Sequence, residues 1–239
     1  MVQTKSATSA RALPLARQVY DTLHHKIQTF ELKPYQPLSE SSVSEMLNVS
    51  RTPAREALTK LAENKFVDVV PQRGSRVAPL RIEDLDRSQF MREALEVAVL
   101  RRAMKSGDTA ALAKSLHKEI TLQRTYVAYD DTDSFYASDE AFHGLIAEHA
   151  RLPSVQPEIL RAKDHMDRFR HLIVASVEDL DRLIGQHVDI AEAIEAGDAA
   201  AAEACMITHM RRIFDFLNEA RHKNPAYFED TEQPQQVAE

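Results

Sequence analysis

Apolar residues recur every three or four positions along most of this chain, which is the spacing of one face of an α-helix. The segment LARQVYDTLHHKIQTF near the start shows this spacing at Leu15, Val19, Leu23, Ile27 and Phe30. Two prolines, Pro34 and Pro37, follow it, and prolines at this density are typical of a loop. We therefore predict an amphipathic helix and then a loop.

A short helix is predicted next, within SESSVSEMLNVS. Ser39 is placed to cap its first turn, because a serine hydroxyl accepts from amides that have no partner inside the helix. Asn48 suits the turn after it, since asparagine tolerates a positive φ. The apolar spacing predicts three residues that face inward, Val43, Met46 and Leu47.

The following helix, within NVSRTPAREALTKL, has an apolar face and a basic strip beside it. At about 100° per residue, its buried face is formed by Ala54, Ala57, Leu58 and Leu61. Arg51, Arg55 and Thr59 lie on the adjacent strip, which we predict to be exposed. Two short helices joined by a tight turn form a helix-turn-helix, whose second helix enters the major groove of DNA. Guanine offers paired acceptors there that match the arginine fork.

A small β-hairpin is predicted after these helices. Two β-prone runs, VDVV and SRVAPL, are separated by PQRG, which places Gly74 at the tip with Arg73 and Arg76 beside it. Such a wing approaches phosphates or the minor groove, because glycine permits close backbone contact. Each arginine alone is more simply read as solvated surface charge, but the complete order of elements predicts a winged helix-turn-helix.

From residue 82 onward the pattern is almost wholly helical. Glycine-aspartate pairs at 107–108 and 197–198 are typical of a helix end followed by a cap. Helices connected by such short breaks form an antiparallel bundle. We predict six of them, near 82–106, 109–129, 132–149, 154–175, 178–196 and 198–222.

The predicted fold class is therefore mainly α, in two domains. Residues 1–80 form a winged helix-turn-helix with a small β-hairpin wing, and residues 81–225 form a six-helix antiparallel bundle. The remaining residues, 226–239, are expected to be a disordered tail.

Composition narrows the class of protein. The 239 residues are 44% hydrophobic and 28% charged, which is within the globular range. A single cysteine, Cys205, excludes an internal disulfide framework and fits a reducing compartment. The sequence lacks a run of about 18 apolar residues that would span a membrane, and its start lacks the apolar core of a signal peptide. We expect a cytoplasmic protein without a membrane partner.

Charge is unevenly distributed between the two predicted domains. Residues 1–80 hold 11 Lys and Arg against 7 Asp and Glu, whereas residues 81–239 hold 19 against 30. A basic first domain on an acidic chain indicates a polyanion partner for that domain only, although chance produces fluctuations of this size as well.

Four metal-ligating residues interrupt the apolar stripes of the bundle. Asp139 and His143 lie one turn apart within a stripe, and His187 and His209 lie within two others. A single buried histidine usually has a hydrogen-bonding neighbour, but burying four such groups separately costs free energy unless each finds a partner. One shared ion would satisfy all four. Three histidines and an aspartate suit Zn²⁺ or another first-row divalent ion such as Ni²⁺ or Mn²⁺.

An arginine also falls on an apolar stripe. Arg92 lies among Leu85, Leu95 and Val99, where an unpaired guanidinium would be costly. It is placed either to bind an anionic ligand beside the metal or to pair with Glu96, one turn further along the helix.

The first domain resembles a known family. LSESSVSEMLNVSRTPAREALTKLAENKFVDVVPQRGSRVAPL, and VSRTPAREAL above all, is similar to the winged-helix domain of GntR-type transcription regulators over roughly residues 13–80. The resemblance implies that Arg51 and Arg55 read bases, that Thr52 holds phosphate, and that Gly74 is the wing glycine.

Two positions depart from the pattern of that family. Ser41 stands where some members carry a basic residue, and we expect this to change operator preference. Lys65 stands where a glycine is usual, and we expect Asn64 to adopt the left-handed conformation in its place.

The second domain resembles the FCD ligand-binding domain of FadR-type GntR regulators over about residues 84–222, through DEAFH, QHVDIAEAIEAGD and THMRR. In metal-binding members of that family the ligands match Asp139, His143, His187 and His209. MREALE resembles the motif whose arginine, here Arg92, lines the effector cavity. Family effectors are commonly small organic acids.

The leading hypothesis is a metabolite-responsive transcription regulator, in most such cases a repressor, that binds an operator in double-stranded DNA as a homodimer. It would hold one divalent ion per chain, best Zn²⁺, and a small organic acid beside it. One alternative is a regulator with a purely structural metal. Another is a metal-dependent hydrolase, which leaves the helix-turn-helix unexplained and lacks an evident general acid or base.

Overall fold

The structure is a computed structural model that describes residues 13–105, 107–173 and 176–229. The chain folds as two compact units. The first contains the residues up to Leu80 and the segment from Ala226, and the second is Arg81–Pro225. As predicted, the fold is mainly helical, with a small antiparallel hairpin after the first helices.

The first unit consists of three helices and a two-stranded hairpin. Their bounds are α1 Leu15–Gln28, α2 Glu40–Leu47, α3 Arg51–Glu63, β1 Val67–Val70 and β2 Gly74–Val77. The strands are antiparallel, with Val67 opposite Val77 and Val70 opposite Gly74. Apolar residues of all five elements form one core, which fixes the orientation of α3.

Local signals in the sequence explain where α2 starts and ends. Ser39 forms a capping box with Ser42, and Asn48 has a φ of 51° in the left-handed region. Both features confirm the sequence-based expectation. Met46 differs, because it is 43% exposed rather than directed inward.

The end of α3 also differs from expectation. Lys65, rather than Asn64, adopts the left-handed conformation, with a φ of 62°. Asn64 instead donates from Nδ2 to the Tyr20 hydroxyl at 2.8 Å, which keeps it in an ordinary conformation at the end of the helix. The position at which glycine is usual therefore requires a positive φ, and lysine accepts that conformation at some cost.

The segment after residue 225 is ordered as far as Glu229, contrary to the expectation of a disordered tail from residue 226. Leu80 donates its backbone N–H to the Tyr227 carbonyl at 2.8 Å, and the Glu229 N–H donates to the Leu80 carbonyl at 3.0 Å. Phe228 is buried, and Tyr227 stacks on Phe30 at 5.2 Å. This pairing accounts for the order, and residues 230–239 lie outside the described part of the chain.

The second unit is a bundle of antiparallel helices. Aspartate or serine caps begin four of them. The helices are α4 Ile82–Lys105, α5 Thr109–Ala128, α6 Thr132–His149, α7 Gln156–Leu172, α8 Val177–Glu195, α9 Ala199–Arg211 and α10 Leu217–Lys223. None of the helices described is long and apolar enough to cross a membrane.

The predicted sixth helix, near 198–222, is interrupted. A 3₁₀ segment, Arg212–Phe216, separates α9 from α10. In a 3₁₀-helix residues i and i+3 project from the same side, which aligns Ile213 with Phe216. Both line a cavity inside the bundle, beside the buried polar residues of α6 and α9.

Candidate metal centre and nucleic-acid interface

The four predicted metal ligands come together in the centre of the bundle. Asp139 and His143 project from successive turns of α6, His187 comes from α8 and His209 from α9. One ligand atom from each residue lies within 4.8 Å of the others, and all four side chains are buried. The Nε2 atoms of His143 and His209 are 3.2 Å apart, and His187 Nε2 is 3.4 Å from Asp139 Oδ1.

Oxygen atoms around the cluster face the other nitrogen of each imidazole. A histidine whose Nδ1 faces an acceptor keeps its Nε2 lone pair available for a metal. The pairs are His143 with Glu96 at 2.5 Å, His187 with Gln123 at 2.8 Å and His209 with Gln186 at 3.3 Å. The donor set therefore fits a divalent cation, with Nε2 atoms and a carboxylate directed to one point.

Burial sets the protonation states of this cluster. It lowers the pKa of His187 and lowers that of His209 well below the ordinary value of 6.5. For Asp139 burial favours the neutral form, but the hydrogen bond with His187 and the charge of Arg170 hold its pKa well below 3.8. Neutral imidazoles and an ionised carboxylate are the forms that bind a cation.

We expect the metal-free protein to lose stability as the pH falls below 6.5. His187 and His209 have lowered pKa values in the folded state, so the unfolded chain binds more protons in this range. Their contribution is present above pH 6.5 and disappears as the pH falls through the folded values. Urea unfolding between about pH 7.5 and 5.5 measures the slope. His209→Leu should flatten it, and a wild-type slope equal to that of this variant would contradict the assignment.

Arg92 forms the ion pair that the sequence allowed as an alternative. Its Nε lies 2.5 Å from Glu96 Oε1, and the other carboxylate oxygen of Glu96 is the one that faces His143. Burial would raise the pKa of Glu96, but Arg92 and His143 lower it to about 2. Arg92 also lines the cavity beside Asp139 and His209, and its role towards an effector stays a prediction.

The lining of that cavity mixes charged and apolar side chains. Its polar members are Arg92, Tyr136, Asp139, Arg170, Asp179, His209 and Arg212. Its apolar members are Met166, Ile173, Leu180, Leu183, Met210, Ile213 and Phe216. Concave sites that combine apolar side chains with polar groups are typical of small-molecule binding.

Sequence reasoning missed Glu96, Gln123 and Gln186 as partners of the ligands, and it missed Arg170. For Gln123 a signal was present, because it falls on the buried stripe of α5 with Leu116 and Ile120 and is completely buried. The same reasoning that selected the histidines would have selected it.

The other candidate surface is the exposed face of α3. Arg51, Thr52, Arg55 and Thr59 are all exposed on it, while Ala54, Ala57, Leu58 and Leu61 are buried in the core. The nearest acid to Arg55 is Glu40, at 3.9 Å, and the arginine side chain remains 77% exposed. The guanidinium groups are therefore available to an external partner.

The wing is less uniform than the sequence suggested. Gly74 has a φ of 85° and begins β2, and Arg73 beside it is exposed. Arg76 is different, because its guanidinium lies 5.0 Å from the centre of the Tyr35 ring and 3.6 Å from Asp68. Arg76 is therefore engaged within the first unit, whereas Arg73 is placed to reach a phosphate.

Family models match both units of the chain. The family model described as bacterial regulatory proteins, gntR family, matches residues 15–77, and the FCD domain model matches residues 89–212. The chain belongs to the GntR family. Its second unit contains the FCD domain, and the matches confirm the resemblance seen in the sequence.

Two relatives that match over most of the chain are named as transcriptional repressors. The HTH-type transcriptional repressor RspR of Escherichia coli (strain K12) is 34% identical over 217 residues, 91% of this chain and 95% of that protein. The gluconate operon transcriptional repressor of Bacillus subtilis (strain 168) is 29% identical over 183 residues, 74% of this chain and 73% of that protein.

Solved structures share the fold. E. coli McbR/YncC aligns with a TM-score of 0.67 at 21% identity, over 87% of this chain and 99% of that one. A putative transcriptional regulator GntR from Rhodococcus sp. RHA1 aligns with a TM-score of 0.61 at 21% identity, over 90% of this chain and 99% of that one. These structures therefore share the overall fold of this chain.

Proposed function

We propose that this GntR-family regulator is a repressor that binds its operator as a homodimer and responds to a small organic acid. The acid binds in the FCD domain beside one divalent ion per chain, held by Asp139, His143, His187 and His209. The convergence of these four buried side chains on one point, at the wall of a cavity, carries the proposal.

The donor set suits Zn²⁺ best, because three imidazoles and one carboxylate match its preferred ligands. Ni²⁺, Mn²⁺ and other first-row ions accept the same set. With a coordination number above four, such an ion would leave a position for a carboxylate oxygen. The cavity lies on the side of the cluster where Asp139 and His209 are accessible, and Arg92 adds positive charge there. This favours an exchangeable ligand over a purely structural metal.

For DNA binding, α3 enters the major groove, with Arg51 and Arg55 on base edges and Thr52 and Thr59 beside the backbone. The wing residues Arg73 and Gly74 support it, and Arg76 contributes mainly by ordering the hairpin. A symmetric dimer would place two such helices on a near-palindromic site. This assignment accounts for the arginines, which a hydrolase would leave unused.

Operator titrations of single variants test the DNA part. Arg51→Ala and Arg55→Ala should each weaken binding to a guanine-containing operator by about 1–3 kcal/mol. Arg182→Ala is a matched control, since it also removes one exposed arginine but lies in the FCD domain. Wild-type affinity in both α3 variants would contradict the assignment of α3 as the reading helix.

Operator titrations with the Zn²⁺-loaded protein and a panel of organic acids test the effector part. One acid of the panel should change operator affinity by about 1–3 kcal/mol, and chelation of the metal should abolish that change. Gluconate belongs in the panel because a relative is named for the gluconate operon. A metal that stabilises the fold while no acid alters operator affinity would favour the structural-metal alternative.

A further inference from the structure

Three arginines line the cavity, and they differ in what already holds them. Arg92 is paired with Glu96 at 2.5 Å, and Arg212 donates to the Asp179 carbonyl at 3.4 Å. Arg170 has only longer charge contacts, 3.7 Å to Asp139 and 3.7 Å to Asp167. In the described part of the chain, no hydrogen bond holds its guanidinium. Arg170 is therefore the arginine of the cavity with most donors available.

The position of Arg170 is nonetheless well defined. Its guanidinium lies over the Tyr136 ring at 4.9 Å from the centroid, and its side chain is 17% exposed. Stacking on an aromatic face orients the planar fork without using its N–H groups. A planar fork with available donors, facing a cavity, matches a carboxylate in two parallel hydrogen bonds.

Asp139 links Arg170 to the metal ligands. Its Oδ2 atom is the one near Arg170, while its Oδ1 atom is near His187. In the metal-free protein Arg170 supplies much of the opposite charge that Asp139 requires. A cation bound by the four ligands would neutralise Asp139 and repel the guanidinium. Arg170 would then keep the 3.7 Å contact to Asp167, and an external anion would replace Asp139 as its second partner.

The apolar part of the cavity lining indicates which kind of ligand body would bind there. Apolar side chains, among them Ile173, Leu183, Ile213 and Phe216, form about half of the cavity wall, and Arg212 lies over the Phe216 ring. Hydroxyl groups against these apolar side chains would lose water without gaining a partner, which disfavours polyhydroxy acids. A hydrocarbon or aromatic body would bury apolar area there.

We propose that the effector is a carboxylic acid with an apolar body, that Arg170 binds its carboxylate, and that metal loading makes Arg170 available by neutralising Asp139. This inference rests on the proposed function. It adds to it the residue that binds the carboxylate, the class of acid and the dependence of acid binding on metal loading. Arg170 lies on the wall of the proposed effector site. The direction in which its replacement changes metal affinity therefore distinguishes a residue that binds the acid from one that only supports the fold.

Calorimetric titration of the full-length, Zn²⁺-loaded protein tests the ligand class. The probes are acetate, hexanoate, benzoate and gluconate. Hexanoate or benzoate should bind at least about tenfold more tightly than acetate and gluconate, because each buried methylene contributes about 0.8 kcal/mol. Equal affinities for acetate and hexanoate, tighter binding of gluconate, or no binding of any probe would overturn the ligand class.

Arg170→Gln separates ligand binding from structural support. The variant should bind the tighter of hexanoate and benzoate at least about tenfold more weakly, since a charge-assisted pair is lost. Its affinity for Zn²⁺, measured by competition with a chelating indicator, should rise about threefold or more, because a repelling charge is removed. A residue that only supports the fold would lower both affinities.

Two further variants complete the design. Arg161→Gln removes an exposed arginine of the same helix that pairs with Glu158, and should change neither affinity. Arg170→Lys keeps the positive charge and the fold but lacks the planar guanidinium group. It should therefore still weaken acid binding. Wild-type acid affinity in both Arg170 variants, or weaker Zn²⁺ binding in Arg170→Gln, would overturn the role of Arg170.

Different results would contradict the proposed function and the inference about Arg170. If Zn²⁺ binds and an acid changes operator affinity in wild type and Arg170→Gln alike, the proposed function stands and the inference about Arg170 is wrong. If the wild type neither binds Zn²⁺ nor responds to any acid, the proposed function itself is wrong.

Discussion

Replacing His187 by alanine should reduce the metal content from about one ion per chain to almost none. His187 is completely buried, and its ring stacks on Phe142 at 4.1 Å while Nδ1 meets Gln123. These contacts fix Nε2 towards Asp139, and Asp139, His143, His187 and His209 are the group in the described part of the chain that could hold a metal there. The variant keeps only three of the four metal donors. It loses a donor that the fold already holds in position, so its metal affinity should fall. Metal analysis after gentle purification, followed by Zn²⁺ titration, measures the change.

His117→Ala is the matched control for this experiment. His117 is a histidine of α5 outside the cluster, 3.4 Å from Glu195 and partly exposed. The control should keep its metal and should be destabilised by a chelator as the wild type is, because bound metal stabilises the folded state. The unfolding temperature of His187→Ala should not respond to the chelator. Unchanged metal content in His187→Ala would refute the assigned ligands.

The sequence predicted the fold well where local signals repeat. The helical period, the caps at Ser39 and Asp198, and the turn at Asn48 each have a physical cause within a few residues. The exposed strip of α3 follows from the same period, since four apolar positions determine where the arginines must point. The hairpin was equally readable from its β-prone runs and glycine.

Features that depend on contacts between distant residues could not be predicted from local sequence signals. The order of Phe228 results from backbone pairing with Leu80, which lies 148 positions earlier in the chain. Asn64 avoids the left-handed conformation because Tyr20, on another helix, holds its side chain. The 3₁₀ segment after α9 has no proline or glycine to announce it, so helical spacing alone predicts an unbroken helix there.

The candidate site shows the same division. The four candidate ligands could be predicted because a polar residue on an apolar stripe is conspicuous within its own helix. Their partners were not, because the pairing of Gln123 with His187 requires the α5–α8 packing to be known. Arg170 is the extreme case: only the cavity shows that its guanidinium faces the same space as Asp139.

Removing the side chain of Arg92 should lower the free energy of unfolding of the metal-free protein by about 3–5 kcal/mol. Both partners of the Arg92–Glu96 pair are almost completely buried, so alanine leaves the Glu96 carboxylate with only His143 beside it. A residue serving only as an effector ligand would give a different result, because its removal would leave stability unchanged. Urea unfolding of wild type and variant at neutral pH decides between these outcomes.

A double-mutant cycle assigns the loss to the ion pair. Together with the single variants Arg92→Ala and Glu96→Gln, the double variant Arg92→Ala/Glu96→Gln removes both charges and should recover much of the stability lost in Arg92→Ala. The loss should also depend on pH. The pKa of Glu96 is about 2 in the wild type and 4.5 ordinarily, so its contribution is present above pH 4.5 and disappears as the pH falls towards 2. Without Arg92 that contribution shrinks, and the difference between wild type and Arg92→Ala should therefore narrow below pH 4.5. A loss that persists at low pH, or in the double variant, would instead reflect the packing of the Arg92 side chain.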